Sequence, residues 1–130
     1  MENRKVLLVD YNRHVSFFLD RELKKTLNSN IKITVLAAVT IKDAERLFSE
    51  NPYPAVIFID SCIDNGEQPD SIHLIKKIKR TYAGPMVAIA NKPDHKKLLM
   101  EAGCNRVCDK NVLHEVVLGI FGYKCPKADA

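Results

Sequence analysis

Two kinds of apolar pattern alternate along the chain. The first is a short continuous run. Val6-Leu7-Leu8-Val9 leads from Lys5 into Asp10, and Val56-Ile57-Phe58-Ile59 leads from Pro54-Ala55 into Asp60. Met86-Val87-Ala88-Ile89-Ala90 lies between Pro85 and Asn91. Runs of this length, bounded by turn residues, read as strands buried on both faces. Ile31-Lys32-Ile33-Thr34-Val35-Leu36-Ala37 alternates and reads as a further strand, and Arg106-Val107-Cys108-Asp109 as a short fifth one ending at Lys110. The second pattern is an apolar stripe at three- and four-residue spacing. Val15, Phe18, Leu19, Leu23 and Leu27 predict a core-facing helix capped by Asn12 and broken at Asn28-Ser29-Asn30. Ala44, Leu47 and Phe48 predict another, opened by Thr40-Ile41-Lys42-Asp43, a capping box with Asp in place of Glu. Ile72, Ile75 and Ile78, flanked by Leu74, predict a third, capped by Asp70 or Ser71. A loop with a cap at Asn91-Lys92-Pro93-Asp94 introduces a fourth, whose Leu98, Leu99 and Ala102 face inward and whose C-cap is Gly103. Asn111 caps a last helix carrying Val112, Val116, Val117, Ile120 and Phe121.

Strand and helix thus alternate five times. That order predicts an α/β fold, a doubly wound five-stranded parallel sheet with helices on both faces. Right-handed crossovers bring the strand carboxyl ends to one edge, where such sheets bind ligands. Asp10, Asp60 and Lys110 all reach that edge, on strands that can be neighbours. Two nearby carboxylates repel, so they either raise a pKa or recruit a cation. Oxygen ligands favour Mg²⁺, which pairs well with phosphate oxygens. A lysine binds phosphate as a point charge. A carboxylate beside both is equipped to accept a phosphoryl group as an acyl phosphate.

Composition narrows the picture further. At 130 residues, with 46% hydrophobic and 28% charged, the chain reads as one soluble globular domain. Residues 1–122 form that domain and 123–130 a flexible tail. No apolar run approaches the ~20 residues of a membrane helix. Met1 to Lys5 does not lead into a signal peptide. Cys62, Cys104, Cys108 and Cys125 show no zinc or redox spacing and fit thiols in a reducing cytoplasm. The net charge of +4 is mild. Lys76, Lys77, Lys79 and Arg80, like Lys92, Lys96 and Lys97, read as solvated helix faces. No aromatic residues interleave with them, so nucleic acid is not an expected partner of this domain. His14, His73, His95 and His114 read as helix-surface or half-buried residues, with only His14 near the edge that carries the carboxylates. There is no Ser/His/Asp order and no glycine-rich phosphate loop, which weighs against a small flavodoxin-like or phosphatase-like enzyme. The chain reads as a module, not an enzyme.

Four stretches together resemble the receiver domain of two-component response regulators, a flavodoxin-like (βα)5 fold: Lys5 to Asp10, Val56 to Asp60, Glu101-Ala102-Gly103-Cys104 and Cys108-Asp109-Lys110. The resemblance covers about residues 4–121. It implies that Asp60 is a phosphoacceptor charged by a histidine kinase or phosphotransfer protein, within a phosphorelay, and that the signal passes to a downstream protein by contact. It implies that Lys110 contacts the phosphate. It implies a Mg²⁺ held by Asp10, Asp60 and the backbone carbonyl of Cys62. The sequence also departs from the family. Tyr11 stands where the family's second acid ligates the metal, and a phenol protonated near pH 10 is a poor ligand, so Mg²⁺ binding is expected to be weak. Ala90 stands where a Thr or Ser hydroxyl meets the phosphate, Val107 at the aromatic switch position and Asn111 in place of a Pro. The loop after Asp60 is longer than usual by about two or three residues and offers Asp64, Glu67 and Asp70 as substitute oxygens, or simply as a solvated acidic loop. These losses leave a second reading open, a degenerate receiver-like module that acts by protein contact without phosphorylation.

Overall fold

Five parallel strands lie in the order β2-β1-β3-β4-β5 in a computed structural model that describes residues 2–27 and 31–122. The strands are β1 (Glu2–Val9), β2 (Ile31–Ala38), β3 (Val56–Asp60), β4 (Met86–Ile89) and β5 (Arg106–Cys108). The helices are α1 (Arg13–Thr26), α2 (Ile41–Glu50), α3 (Ile72–Lys79), α4 (Pro93–Ala102) and α5 (Leu113–Ile120). The predicted doubly wound α/β fold is the observed one. The expected break at 28–30 and the tail at 123–130, with Cys125, lie outside the described residues.

The continuous apolar runs form the strands because both sides of the sheet are covered. Leu7, Val9, Ile57, Ile59, Met86 and Ala88 point to one face, against Ala44 of α2, Leu74, Ile75 and Ile78 of α3 and Leu99 of α4. Val6, Leu8, Val56, Phe58, Val87 and Ile89 point to the other, against Val15, Leu19 and Leu23 of α1 and Leu113, Val117 and Leu118 of α5. Strand β2 is an edge, which explains its half-buried, alternating sequence. In-register pairing of Val9 with Ile59, and of Asp60 with Ile89, brings the ends of β1, β3 and β4 level. Strands β1 and β3 are neighbours, but β5 is not beside β3, because β4 lies between them. Lys110 therefore has to reach across the end of a strand.

The helix ends follow the sequence in part. Asn12 accepts from His14 N–H and Thr40 from Asp43 N–H, as N-caps do. Gly103 closes α4 at φ +140°, and a Cβ there would lie 2.8 Å from Lys79 Cγ, so the turn requires glycine. The other expected caps are absent. Ser71 occupies the N-cap of α3 without a side-chain cap bond, because its hydroxyl donates to Ser61 O. Helix α4 starts on Pro93, whose fixed φ suits that position, and no side chain caps it. Asn111 and Val112 belong to a 3₁₀ turn, Lys110–Val112, that precedes α5, so Asn111 caps nothing. Leu98 is exposed rather than inward-facing; His95 and Leu99 are the buried residues of α4.

Candidate functional site

Asp10 leaves the end of β1 and Asp60 ends β3, and both side chains are buried, at 3% and 7% exposure. Lys110, in the turn after β5, bridges them. Its Nζ lies 3.1 Å from Asp60 Oδ2 and 3.4 Å from Asp10 Oδ2. The three residues singled out by sequence therefore meet, by way of a long lysine side chain that spans the end of β4. Burial pulls the Lys110 ammonium down in pKa, but the facing charges of Asp60 and then Asp10 more than offset this and hold it above its ordinary value. Burial pushes Asp10 up to about 6, against the pull of the Asn12 N–H and with the help of the Asp60 charge. Asp10 Oδ1 accepts from Asn12 N–H at 2.9 Å, whereas the buried Oδ2 makes no hydrogen bond.

These oxygens sit beside a cleft of about 160 Å³. Asp60, Lys110, Tyr11, Cys62, Glu67 and Ala90 are among its lining residues. Tyr11 is 57% exposed and lies under Lys110, with Nζ 5.1 Å from the ring centroid. The phenol thus holds the lysine from one side while the carboxylates hold it from the other. A metal ion would enter the same space. Oδ2 of Asp10 and Oδ2 of Asp60 converge on the Lys110 ammonium, and Mg²⁺ is content with one or two carboxylates if it keeps its waters. The two carboxylates fit such an ion, in competition with Lys110. Among the described residues no group of three or more His, Cys, Asp and Glu side chains is arranged to hold a metal.

The acidic loop supplies less than its sequence offered. Asp70 is committed to the loop itself: its carboxylate accepts from the N–H groups of Ile63, Asp64 and Asn65 at 2.7, 2.8 and 2.7 Å. Asp64 accepts from Ile41 N–H at the start of α2, 3.1 Å away. Of the three candidate substitute oxygens, only Glu67 lines the cleft. The expectation of a solvated acidic loop holds for Asp64 and Glu67, which are exposed, while Asp70 is half-buried.

Two residues of the cleft are not singled out by the sequence: nothing in it marks Ser61, and His95 reads there as a helix-surface or half-buried residue away from the site. Ser61 is 4% exposed, and its Oγ lies 3.4 Å from Asp60 Oδ1 and 3.2 Å from His95 Nδ1. His95 is 8% exposed, not a surface residue. A weak signal was present: His95 stands three, four and seven residues before Leu98, Leu99 and Ala102, on the same side of α4. His14 is exposed and is not part of the cleft lining. Burial pushes the thiol of Cys104 up to about 12 and that of Cys108 up to about 11, which keeps both protonated at neutral pH.

No family model matches the chain, and a search of curated proteins finds no match. Solved structures do match. A two-component response regulator from Clostridium difficile is 22% identical, with a TM-score of 0.71 over 91% of this chain and 95% of that one. The BeF3-activated N-terminal receiver domain of RstA from Klebsiella pneumoniae is 18% identical, with a TM-score of 0.67 over 91% and 95%. A response regulator protein from Burkholderia pseudomallei, solved with a phosphorylated aspartic acid, a calcium ion and citrate, is 15% identical, with a TM-score of 0.70 over 90% and 65%. The fold is that of response-regulator receiver domains.

Proposed function

We propose that this receiver-fold chain is a signalling module that accepts a phosphoryl group on Asp60 and passes the signal by protein contact. The observation that carries the reading is Lys110 Nζ within reach of both Asp10 and Asp60 at the carboxyl edge of the sheet. An Asp60 oxygen attacks the phosphorus of a phosphohistidine, the N–P bond breaks, and the imidazole leaves with the electron pair. Lys110 balances the charge that the phosphoryl oxygens bring, and Asp60 loses its own negative charge on becoming an acyl phosphate. When bound, Mg²⁺ would supply further neutralisation of the phosphoryl oxygens, held by Asp10, Asp60 and the carbonyl of Cys62. The donor is a histidine kinase or phosphotransfer protein, in the cytoplasm. The chain is a substrate and relay in this scheme, not an enzyme acting on others. No helix among the described residues is long and apolar enough to cross a membrane.

The test is intact-mass measurement after incubation with a small-molecule phosphodonor and Mg²⁺. The expected result is a gain of one phosphate in the wild type and none in Asp60→Asn. A second reading is favoured by the same ion pairs: Lys110 already satisfies both carboxylates, while Tyr11 brings no carboxylate and Ala90 no hydroxyl. In that reading the module binds its partner without phosphate, and an unmodified wild type under generous Mg²⁺ decides for it.

A further inference from the structure

Ala90 leaves the cleft without the hydroxyl expected at the end of β4, yet the hydroxyl-bearing Ser61 also lines it. We propose that Ser61, oriented by His95, donates the hydrogen bond to a phosphoryl oxygen on Asp60 that position 90 does not supply. The proposal rests on the reading of Asp60 as acceptor. Ser61 and Lys110 contact different oxygens of the Asp60 carboxylate, Oδ1 at 3.4 Å and Oδ2 at 3.1 Å, so they flank the acceptor from two sides.

The Ser61 backbone is fixed from both directions. Its N–H donates to Ile89 O at 3.3 Å, and its carbonyl accepts from Asp70 N–H at 3.0 Å and Ser71 Oγ at 3.1 Å. The hydroxyl is thereby held at the cleft before any ligand arrives, which is the condition under which a hydrogen bond contributes most to binding. His95 decides which way the hydroxyl points. With the proton on Nδ1, the ring donates to Ser61 Oγ across 3.2 Å, and the hydroxyl hydrogen that is directed to Asp60 Oδ1 can pass to a phosphoryl oxygen placed there. His95 sits in the first turn of α4, buried beside the cleft it serves.

Beryllofluoride, which adds to a carboxylate as a phosphoryl mimic, tests the proposal, with saturating Mg²⁺ and fluorine NMR as the readout. Ser61→Ala is expected to weaken binding by about 10- to 100-fold, the range for a hydrogen bond to a charged group. It should also move one bound-fluorine resonance and leave those on the Lys110 side in place. His95→Leu should weaken binding in the same direction, and His95→Asn, which returns an N–H near the position of Nδ1, should restore part of the loss and the resonance. A purely structural role for His95 would not move that resonance selectively. Should Ser61→Ala fail to fold, the Leu and Asn variants at position 95 decide alone: equal affinity and unmoved fluorine signals in both overturn the proposal. So does a Ser61→Ala protein that binds like the wild type. A wild type that gives no bound-fluorine signal overturns the acceptor reading, and this proposal with it.

Discussion

At the scale of single residues, the site is built on a carboxylate that burial works against. Asp10, raised to about 6 from an ordinary value of 3.8, binds its proton more tightly folded than unfolded. The sign follows: its contribution to stability is fully present below about pH 4 and is lost as the pH rises through about 6. Asp10→Asn should therefore stabilise the protein at pH 7 by up to about 3 kcal/mol, and the gain should vanish at pH 4. Urea unfolding at the two pH values measures this; an equal gain at both would place its origin elsewhere. Tyr11→Asp should tighten Mg²⁺ by about 10-fold, since it restores an oxygen ligand and frees Lys110 from the ring. Calorimetric titration of the two proteins is the check, and unchanged affinity would assign compensation to Glu67. The acid pair and the lysine were legible in the sequence because each ends an apolar run. Ser61 and His95 were not, because a hydroxyl next to an aspartate and a lone histidine carry no spacing, and only the folded stripe of α4 brings them within 3.2 Å.

At the scale of elements, what escaped the sequence was how helix ends and loops satisfy their backbone. Residues 61–69 read as a polar loop without periodicity, with Asp70 or Ser71 as the cap of the next helix, yet the Asp70 carboxylate gathers three successive N–H groups and the Ser71 hydroxyl holds Ser61. Side-chain bonds of this kind depend on chain direction in space, which hydropathy does not encode. Asp70→Ala should cost about 2–3 kcal/mol in denaturant unfolding, given charge-assisted bonds of about 1.5–3 kcal/mol apiece and the water that replaces them. A cost below about 0.5 kcal/mol would show the loop to be held by its apolar residues. The elements also set how far a phosphate can be felt. Moving a two-state equilibrium from 1:99 to 99:1 takes about 5.5 kcal/mol, and a hydroxyl drawn in from β4 would supply ~1.5–3 of it. Ser61 is already fixed to Ile89 of β4 and to Asp70 and Ser71 ahead of α3, so its bond adds affinity without a hydroxyl being drawn in from position 90, and Val107 brings no ring to β5. On adding beryllofluoride, amide shifts should be large around Asp60 and the first turn of α4 and small across β5 and α5. Large saturating changes over that whole face would contradict the partial switch.

At the scale of the molecule, the apolar periodicities specified ten elements in order, and the handedness of crossovers did the rest. The position of β5 was the exception. Sequence alone made it a possible neighbour of β3, whereas β4 separates them and the lysine has to span the gap. The order β2-β1-β3-β4-β5 has a consequence in time. Strands β1, β2 and β3 come from the first 60 residues and pair among themselves, so that half of the sheet can close before the rest of the chain exists. Strand β5 joins last, has three residues, one edge without a neighbour and no fully buried side chain. Native-state hydrogen exchange should therefore find the amides of Val107 and Cys108 opening at least about 100-fold more often than those of Leu7 and Phe58. Equal protection would mean that the sheet opens as one unit. The carboxylates thus ride on the slowest part of the fold and their counter-charge on the quickest, so Lys110 can depart and return many times within the life of one folded molecule.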